Sequence, residues 1–124
     1  MTSFIRPLVF VREDSAPIRK ALADMLEAIG ARAFYPILSS SGAVRTTVME
    51  DFRCALLCLD RKDPKDDPVD EAELFRTYNP ILPIAFLNAG SDDGLCKRAQ
   101  CIGPVFDKAF QLEAAVAWAS QYIG

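Results

Sequence analysis

Residues 54–60 read Cys-Ala-Leu-Leu-Cys-Leu-Asp, a run of six apolar residues that ends on a carboxylate. A run that is short and apolar at every position is typical of a strand buried on both faces of a sheet. Residues 8–11, Leu-Val-Phe-Val, have the same character, and Glu13 and Asp14 follow them closely. The chain therefore places carboxylates just after two of its predicted strands.

Strand and helix patterns alternate along the whole chain. Ser15 is the predicted N-cap of a first helix, whose apolar residues recur at helical spacing up to a stop at Gly30. Pro83 has no amide proton, so it belongs at the start of its strand. The predicted strands are residues 8–11, 33–35, 54–59, 82–87 and 104–106, and the later predicted helices are residues 39–52, 69–78, 91–100 and 112–123.

This order predicts an α/β fold with five β/α units. Strict alternation, without an internal repeat or linker, favours one domain over residues 1–124 with a doubly wound parallel sheet and helices on both faces. A flavodoxin-like strand order 2-1-3-4-5 is the commonest solution and places strands 1 and 3 side by side. The carboxyl ends of such strands converge on one crevice where ligands bind.

Composition excludes several classes of protein. With 124 residues, 51% hydrophobic and 25% charged, the chain is typical of one globular domain with a real core. A net charge of -3 argues against direct nucleic-acid contact. Charged residues interrupt every apolar run well before a membrane span, and the N-terminus has no signal-peptide pattern. We therefore expect a cytoplasmic protein that does not contact a membrane.

The chain has four cysteines, Cys54, Cys58, Cys96 and Cys101, and no histidine. No Cys-x2-Cys pair is present, which argues against a zinc site. Cys54 and Cys58 lie in the apolar run and are expected to be small buried hydrophobes.

The predicted crevice gathers charged side chains. With strands 1 and 3 adjacent, Glu13, Asp14 and Asp60 share it, and Lys108 joins them after the fifth strand. Mg²⁺ takes one or two carboxylates with waters and phosphate oxygens, so three carboxylates leave one oxygen nucleophile. An aspartate can attack a phosphoryl group to form an aspartyl-phosphate, and Mg²⁺ offsets the charge repulsion. We expect Asp14, Asp60 and Lys108 within salt-bridging reach of one another.

Four motifs resemble one family. Residues 13–19, Glu-Asp-Ser-Ala-Pro-Ile-Arg, resemble the opening of a response-regulator receiver domain of two-component signalling. Residues 60–64, Asp-Arg-Lys-Asp-Pro, are similar to the family's phosphoacceptor Asp-x-x-x-Pro. Residues 88–89, Asn-Ala, occupy the place of its Thr/Ser-Ala, and residues 108–110, Lys-Ala-Phe, stand where Lys-Pro-Phe is usual. The matches occur in order along essentially the entire chain.

The resemblance implies a function and a set of roles. Asp60 would accept a phosphoryl group from a sensor histidine kinase or phosphotransfer protein, Asn88 would contact it in place of a hydroxyl, and Lys108 would bridge to it. The only reactions expected are self-phosphorylation and autodephosphorylation at Asp60, so the chain is not otherwise an enzyme. The implied cofactor is Mg²⁺, held by Glu13, Asp14, Asp60 and the backbone carbonyl of Lys62.

The resemblance also implies partners. Phosphorylation would alter the surface built from the fourth predicted helix, the fifth strand and the last helix, which would contact an output domain, a downstream protein or a second copy of the chain. The domain would be bacterial and the N-terminal module of a larger regulator. Trp118 and Tyr122, on one face of the last helix, are expected to pack in the core, with a dimer surface as the alternative.

Several positions depart from the family. Asn88 cannot reproduce a hydroxyl, Val105 stands where an aromatic switch residue is expected, and Ala109 replaces the proline. Arg12 brings a cation beside the acidic pair. These departures leave an alternative function open, a pseudo-receiver that binds partners without phosphorylation, whereas the retained Asp14, Asp60 and Lys108 favour phosphorylation. A solvated loop is expected for Arg61, Lys62, Lys65, Asp66 and Asp67.

A third class is an α/β enzyme or nucleotide binder. Residues 12–16 lack the glycines of a phosphate cradle, and a chain without histidine lacks the usual triad base. Haloacid-dehalogenase-type phosphatases carry a second acid two residues after the nucleophile, where this chain has Lys62.

Overall fold

The computed structural model describes residues 6–35, 51–90 and 93–124. Its elements are β1 (Leu8–Arg12), α1 (Ala16–Ala28), β2 (Arg32–Phe34), β3 (Phe52–Cys58), α2 (Pro68–Tyr78), β4 (Ile84–Asn88), α3 (Asp93–Gln100), β5 (Val105–Asp107) and α4 (Leu112–Ser120). Each predicted strand is confirmed, with bounds shifted by at most two residues. The predicted helix at residues 39–52 lies outside the described residues except for its last two positions. Of these, Phe52 is the first residue of β3 and not the end of a helix.

The five strands form one sheet in the order β2-β1-β3-β4-β5. Every neighbouring pair is parallel, with Val11 opposite Leu56 and Leu57 opposite Phe86 in the central strands. The predicted α/β class and flavodoxin-like strand order are therefore confirmed. Because all strands run the same way, their carboxyl ends share one edge of the sheet, with β1 and β3 adjacent there.

The sheet is buried on both faces, as its apolar runs predict. Successive β3 residues face opposite sides of the sheet. Leu57 packs in the core with α2 and α3, and Leu56 packs in the core with α1 and α4. Phe10 anchors the first core, with ring centroids 5.4 Å from Phe52 and 4.9 Å from Phe75. This packing holds the strand ends that carry the charged residues.

The helix ends differ in how they are capped. Ser15 occupies the predicted N-cap position of α1, but its hydroxyl makes no capping hydrogen bond. Gly30 follows α1 with φ +88°, a conformation that favours glycine, and confirms the predicted stop. Asp67 caps α2 by accepting hydrogen bonds from the backbone N–H groups of Val69 and Asp70, at 2.8 and 3.1 Å. The expectation that Asp67 is a solvated loop charge is wrong, because its carboxylate accepts hydrogen bonds from backbone N–H groups of the first helical turn that have no other partner in the helix.

The cysteine and aromatic predictions are confirmed. Cys54 and Cys58 are buried, free thiols, and burial raises the pKa of Cys54 to about 12. Trp118 and Tyr122 contact each other at 5.1 Å between ring centroids, and both pack against the core shared by α1 and α4. None of the described helices has the length and apolar character to cross a bilayer.

Candidate functional site

Backbone hydrogen bonds extend the sheet pairing beyond the strands and position the candidate residues. The N–H of Leu59 donates to the Leu87 carbonyl at 2.8 Å, which carries β3 toward Asp60. The N–H of Lys108 donates to the Asn88 carbonyl at 2.9 Å. The ends of β3, β4 and β5 are thereby held at one level of the sheet.

Lys108 connects two carboxylates. Its Nζ donates to Glu13 Oε2 at 2.9 Å and lies 3.4 Å from Asp60 Oδ2. The side chains of Lys108 and Glu13 are 6% and 0% exposed, so this pair is removed from solvent. Burial alone would lower the pKa of Lys108, but the hydrogen bond and charge of Glu13, with a contribution from Asp60, raise it above its ordinary value. The ammonium is therefore charged at neutral pH.

Asp60 lies at the open side of this pair. Its side chain is 30% exposed, and its Oδ2 accepts a hydrogen bond from the Ala89 N–H at 2.7 Å. Ala89 follows Asn88, the half-buried last residue of β4. A cation and a backbone donor therefore hold a carboxylate that solvent can still reach.

Asp14 contacts the loop that follows Asp60. Its Oδ2 accepts a hydrogen bond from the Lys62 N–H at 2.9 Å. In the part of the chain that the structure describes, no ion pair joins Asp14 to Lys108, so that expected contact is wrong. Consecutive side chains at a strand end point in different directions, and Glu13 is the residue that faces Lys108.

The carboxylates have oxygens suited to a hard cation. Asp14 Oδ1 is buried and has no hydrogen-bond partner, and such an atom is costly unless a proton donor or cation satisfies it. Within the described ranges, no group of three or more His, Cys, Asp or Glu side chains is arranged to hold a metal ion. Mg²⁺ needs only one or two protein carboxylates, so Asp14 and Asp60 still fit it. The Lys62 carbonyl and Glu13 as metal ligands stay predictions.

The loop after Asp60 contains a feature that the sequence analysis missed. Arg61 is not a solvated charge, since its side chain is only 2% exposed and its Nε donates to the Cys58 carbonyl at 2.7 Å. Its two terminal nitrogens donate to Asp66 Oδ1 at 3.0 Å and to Glu71 Oε1 at 2.7 Å. The solvated-loop expectation is therefore wrong for Arg61 and Asp66, whereas Lys62 and Lys65 are exposed as expected.

Arg12 completes the same group from the other strand. Its terminal nitrogens donate to Glu71 Oε2 at 2.6 Å and to Asp66 Oδ2. Each guanidinium thus contacts both carboxylates, and we call Arg12, Arg61, Asp66 and Glu71 the four-charge ring. Burial would lower the pKa of Arg61, but Glu71 and then Asp66 outweigh it and hold that pKa above its ordinary value. The sequence signal that could have indicated this ring is Arg12 at the end of a buried strand, because a buried cation needs an anionic partner.

Comparisons with known proteins agree with this architecture. No protein-family model matches the chain, and no curated protein sequence matches it. A response regulator receiver protein from Pseudoalteromonas atlantica superposes with a TM-score of 0.79 at 19% identity, over 94% of this chain and 97% of that chain. The signal receiver domain of a modulated diguanylate cyclase from Desulfovibrio desulfuricans gives 0.74 at 22% identity, over 96% and 94%. The BeF3-activated DrrB receiver domain gives 0.76 at 15% identity, over 95% and 97%.

The strand order and the charged crevice define a flavodoxin-like α/β domain with its candidate site at the carboxyl edge of the sheet. Within that class, the chain has the fold of response-regulator receiver domains.

Proposed function

We propose that this chain is a two-component receiver domain that accepts a phosphoryl group on Asp60 from a sensor histidine kinase, with Mg²⁺, in the bacterial cytoplasm. The observation that carries the proposal is the position of Lys108, which contacts buried Glu13 and lies 3.4 Å from the accessible Asp60 carboxylate. A cation held this way by a neighbouring acid is pre-positioned for the charge that a phosphoryl group brings.

The transfer step uses Asp60 as the nucleophile. A carboxylate oxygen attacks phosphorus, a P–O bond forms, and the P–N bond to the donor's phosphohistidine breaks. The bonding electron pair stays on the imidazole nitrogen, which then takes a proton from solvent. The acyl phosphate on Asp60 carries more negative charge than the carboxylate did, and the Lys108 ammonium and the Ala89 N–H stand where they can stabilise it.

Asp14 and Asp60 would hold Mg²⁺, with the Lys62 carbonyl and Glu13 as the further predicted ligands, Glu13 also being in contact with Lys108. When bound, the ion supplies positive charge that offsets repulsion between an incoming phosphoryl group and the carboxylates. The crevice itself favours such an ion, because the described residues bring three carboxylates and one ammonium to it. The four-charge ring beside it is neutral in sum and adds no compensating charge.

The output surface adjoins Lys108. Phe110, two residues further along the chain, is 87% exposed. An exposed large apolar side chain is typical of a surface that contacts a partner protein. A shift of Lys108 toward an acyl phosphate would move the connection between β5 and α4 that carries Phe110. The surface formed by α3, β5 and α4 is therefore the proposed contact for an output domain, a downstream protein or a second copy.

A pseudo-receiver is the second candidate. Asn88 ends β4 where the family has a hydroxyl, and Val105 on β5 stands in place of an aromatic switch residue. In this case the same surface would bind its partner without phosphorylation.

Beryllofluoride, a phosphoryl mimic, separates the two candidates. In the presence of Mg²⁺, we expect beryllofluoride to shift the backbone amide resonances of Ala89 and Lys62 in an NMR titration. Asp60→Asn should abolish the shifts, whereas Asp63→Asn, a matched change in the exposed part of the same loop, should retain them. A folded wild-type domain without any shift would contradict phosphorylation and favour the pseudo-receiver.

A further inference from the structure

The four-charge ring joins three segments that meet at the candidate site. Arg12 directly precedes Glu13, and Arg61 directly follows Asp60. Glu71 lies in the first turn of α2. The ring therefore ties the end of β1, the end of β3 and the start of the next helix together through four ion pairs.

Besides the ring, the loop at residues 61–67 is held by the Lys62–Asp14 hydrogen bond and by Asp67, which caps α2 and forms an ion pair with Arg98. It contains no apolar side chain except Pro64, which is exposed. Two of its hydrogen bonds are local, with the N–H groups of Lys65 and Asp66 donating to the side chain and carbonyl of Asp63. Of the ion pairs that reach outside the loop among the described residues, those of the ring are more buried, with Arg61 2% and Glu71 11% exposed, whereas Arg98 is 50% exposed.

This loop also carries one wall of the site. The Lys62 N–H donates to Asp14 at 2.9 Å, so the placement of Lys62 sets the orientation of the carboxylate whose other oxygen is buried and unpartnered. We propose that the four-charge ring is a positioning device that holds the Lys62 main chain against Asp14 and thereby sets the affinity of the site for Mg²⁺ and a phosphoryl group. The affinity part of this inference rests on the proposed function.

The chemistry of the ring suits that role. Two guanidinium groups and two carboxylates cancel in charge, so the ring fixes the loop without adding net charge to the site. Removing one charge leaves a buried partner uncompensated, and the loop must move to bring that partner to water. Partners that orient metal-binding groups typically change metal affinity by about 10- to 100-fold when they are removed.

The test compares two ring variants with two controls in the same region. Glu71→Gln and Asp66→Asn each remove one charge from the ring with little change in shape. Asp70→Asn removes a more exposed carboxylate from the same helical turn, outside the ring. Val69→Ala shortens a buried apolar side chain of α2 and destabilises the domain without touching a charge.

Two readouts are measured for each protein. The first is the beryllofluoride affinity in Mg²⁺, for which we expect a loss of about tenfold or more in the ring variants and none in the controls. The second, taken without Mg²⁺, is hydrogen exchange of the Lys62 amide relative to that of Leu57 in the centre of β3. A ring that positions the loop predicts faster exchange at Lys62 alone, whereas general destabilisation accelerates both amides.

The outcomes are distinguishable. Ring variants with wild-type affinity and wild-type Lys62 exchange overturn the inference. A wild-type domain that binds no beryllofluoride overturns the proposed function, and the Lys62 exchange then still decides whether the ring holds the loop. If both ring variants fail to fold, Arg61→Lys keeps the charge but loses the planar fork that contacts both carboxylates, and it should show the same local effect.

Discussion

Lys108 and Glu13 are 95 positions apart in the chain, yet the Lys108 ammonium donates to the Glu13 carboxylate at 2.9 Å inside the protein. This contact joins the end of β5 to the end of β1 across β3 and β4, which separate these two strands in the sheet. It is the link that brings a buried cation to Asp60.

Loss of this cation should destabilise the domain. In Lys108→Met, the buried Glu13 carboxylate loses its ion-pair partner, and we expect the free energy of unfolding to fall by about 3 kcal/mol. Urea denaturation followed by circular dichroism measures this. Glu13→Gln combined with Lys108→Met should recover much of the loss, and a single variant within about 0.5 kcal/mol of wild type would show that the pair is unimportant for stability.

The cap of α2 provides a second prediction. Asp67→Ala leaves two helix N–H groups, those of Val69 and Asp70, without an acceptor and should cost about 1 kcal/mol of unfolding free energy. Urea denaturation should show no comparable loss for Asp63→Ala, in the same loop. An unchanged midpoint for Asp67→Ala would mean that water replaces the cap without cost.

The turn between α3 and β5 requires a glycine. A Cβ on Gly103 would lie 1.8 Å from the Ile84 carbonyl oxygen, so the backbone of this turn or of β4 must shift to admit it. Gly103→Ala should therefore lower the free energy of unfolding by roughly 1–3 kcal/mol. Gly124→Ala, where no atom lies within 4 Å, is the control in thermal denaturation. Equal melting temperatures for both variants would contradict this packing.

Alkaline pH should destabilise the domain through Cys54. Burial raises the pKa of its thiol from 9.0 to about 12, so the folded state retains a proton that the unfolded state releases. The free energy of unfolding should fall as the pH rises from about 9 toward 12, and the contribution is fully present below that window. Cys54→Ala should reduce this slope, whereas Cys101→Ala, at an exposed site, should keep it. Equal slopes in all three proteins would exclude Cys54 as the source.

The strands and the carboxylates that follow them were predictable because that signal is local, whereas the strand order 2-1-3-4-5 was predicted as the commonest solution for five β/α units. The run that ends at Asp60 is short and apolar throughout, which is typical of a strand buried on both faces. Because strands that alternate with helices run parallel, the ends of the first and fifth strands bring Glu13 and Lys108 to the same edge of the sheet. The choice of Glu13 over Asp14 as the partner of Lys108 depends on side-chain direction at the strand end, which the pattern does not specify.

The four-charge ring was not predictable from its own loop. Arg61 and Asp66 lie among other charges and prolines, a composition that is typical of solvated turns. Their burial depends on Glu71 in the following helix and on Arg12, which lies 54 positions before Asp66. The ring therefore appears only when β1, the loop and α2 are packed together.

Direct phosphorylation tests the central claim. The domain is incubated with Mg²⁺ and phosphoramidate, whose P–N bond supplies the phosphoryl group, and intact mass is measured by mass spectrometry. We expect a single added phosphoryl group in the wild type and in Asp63→Asn, and none in Asp60→Asn. A folded wild-type domain that gains no mass, or an equal gain in Asp60→Asn, would contradict Asp60 as the phosphoacceptor.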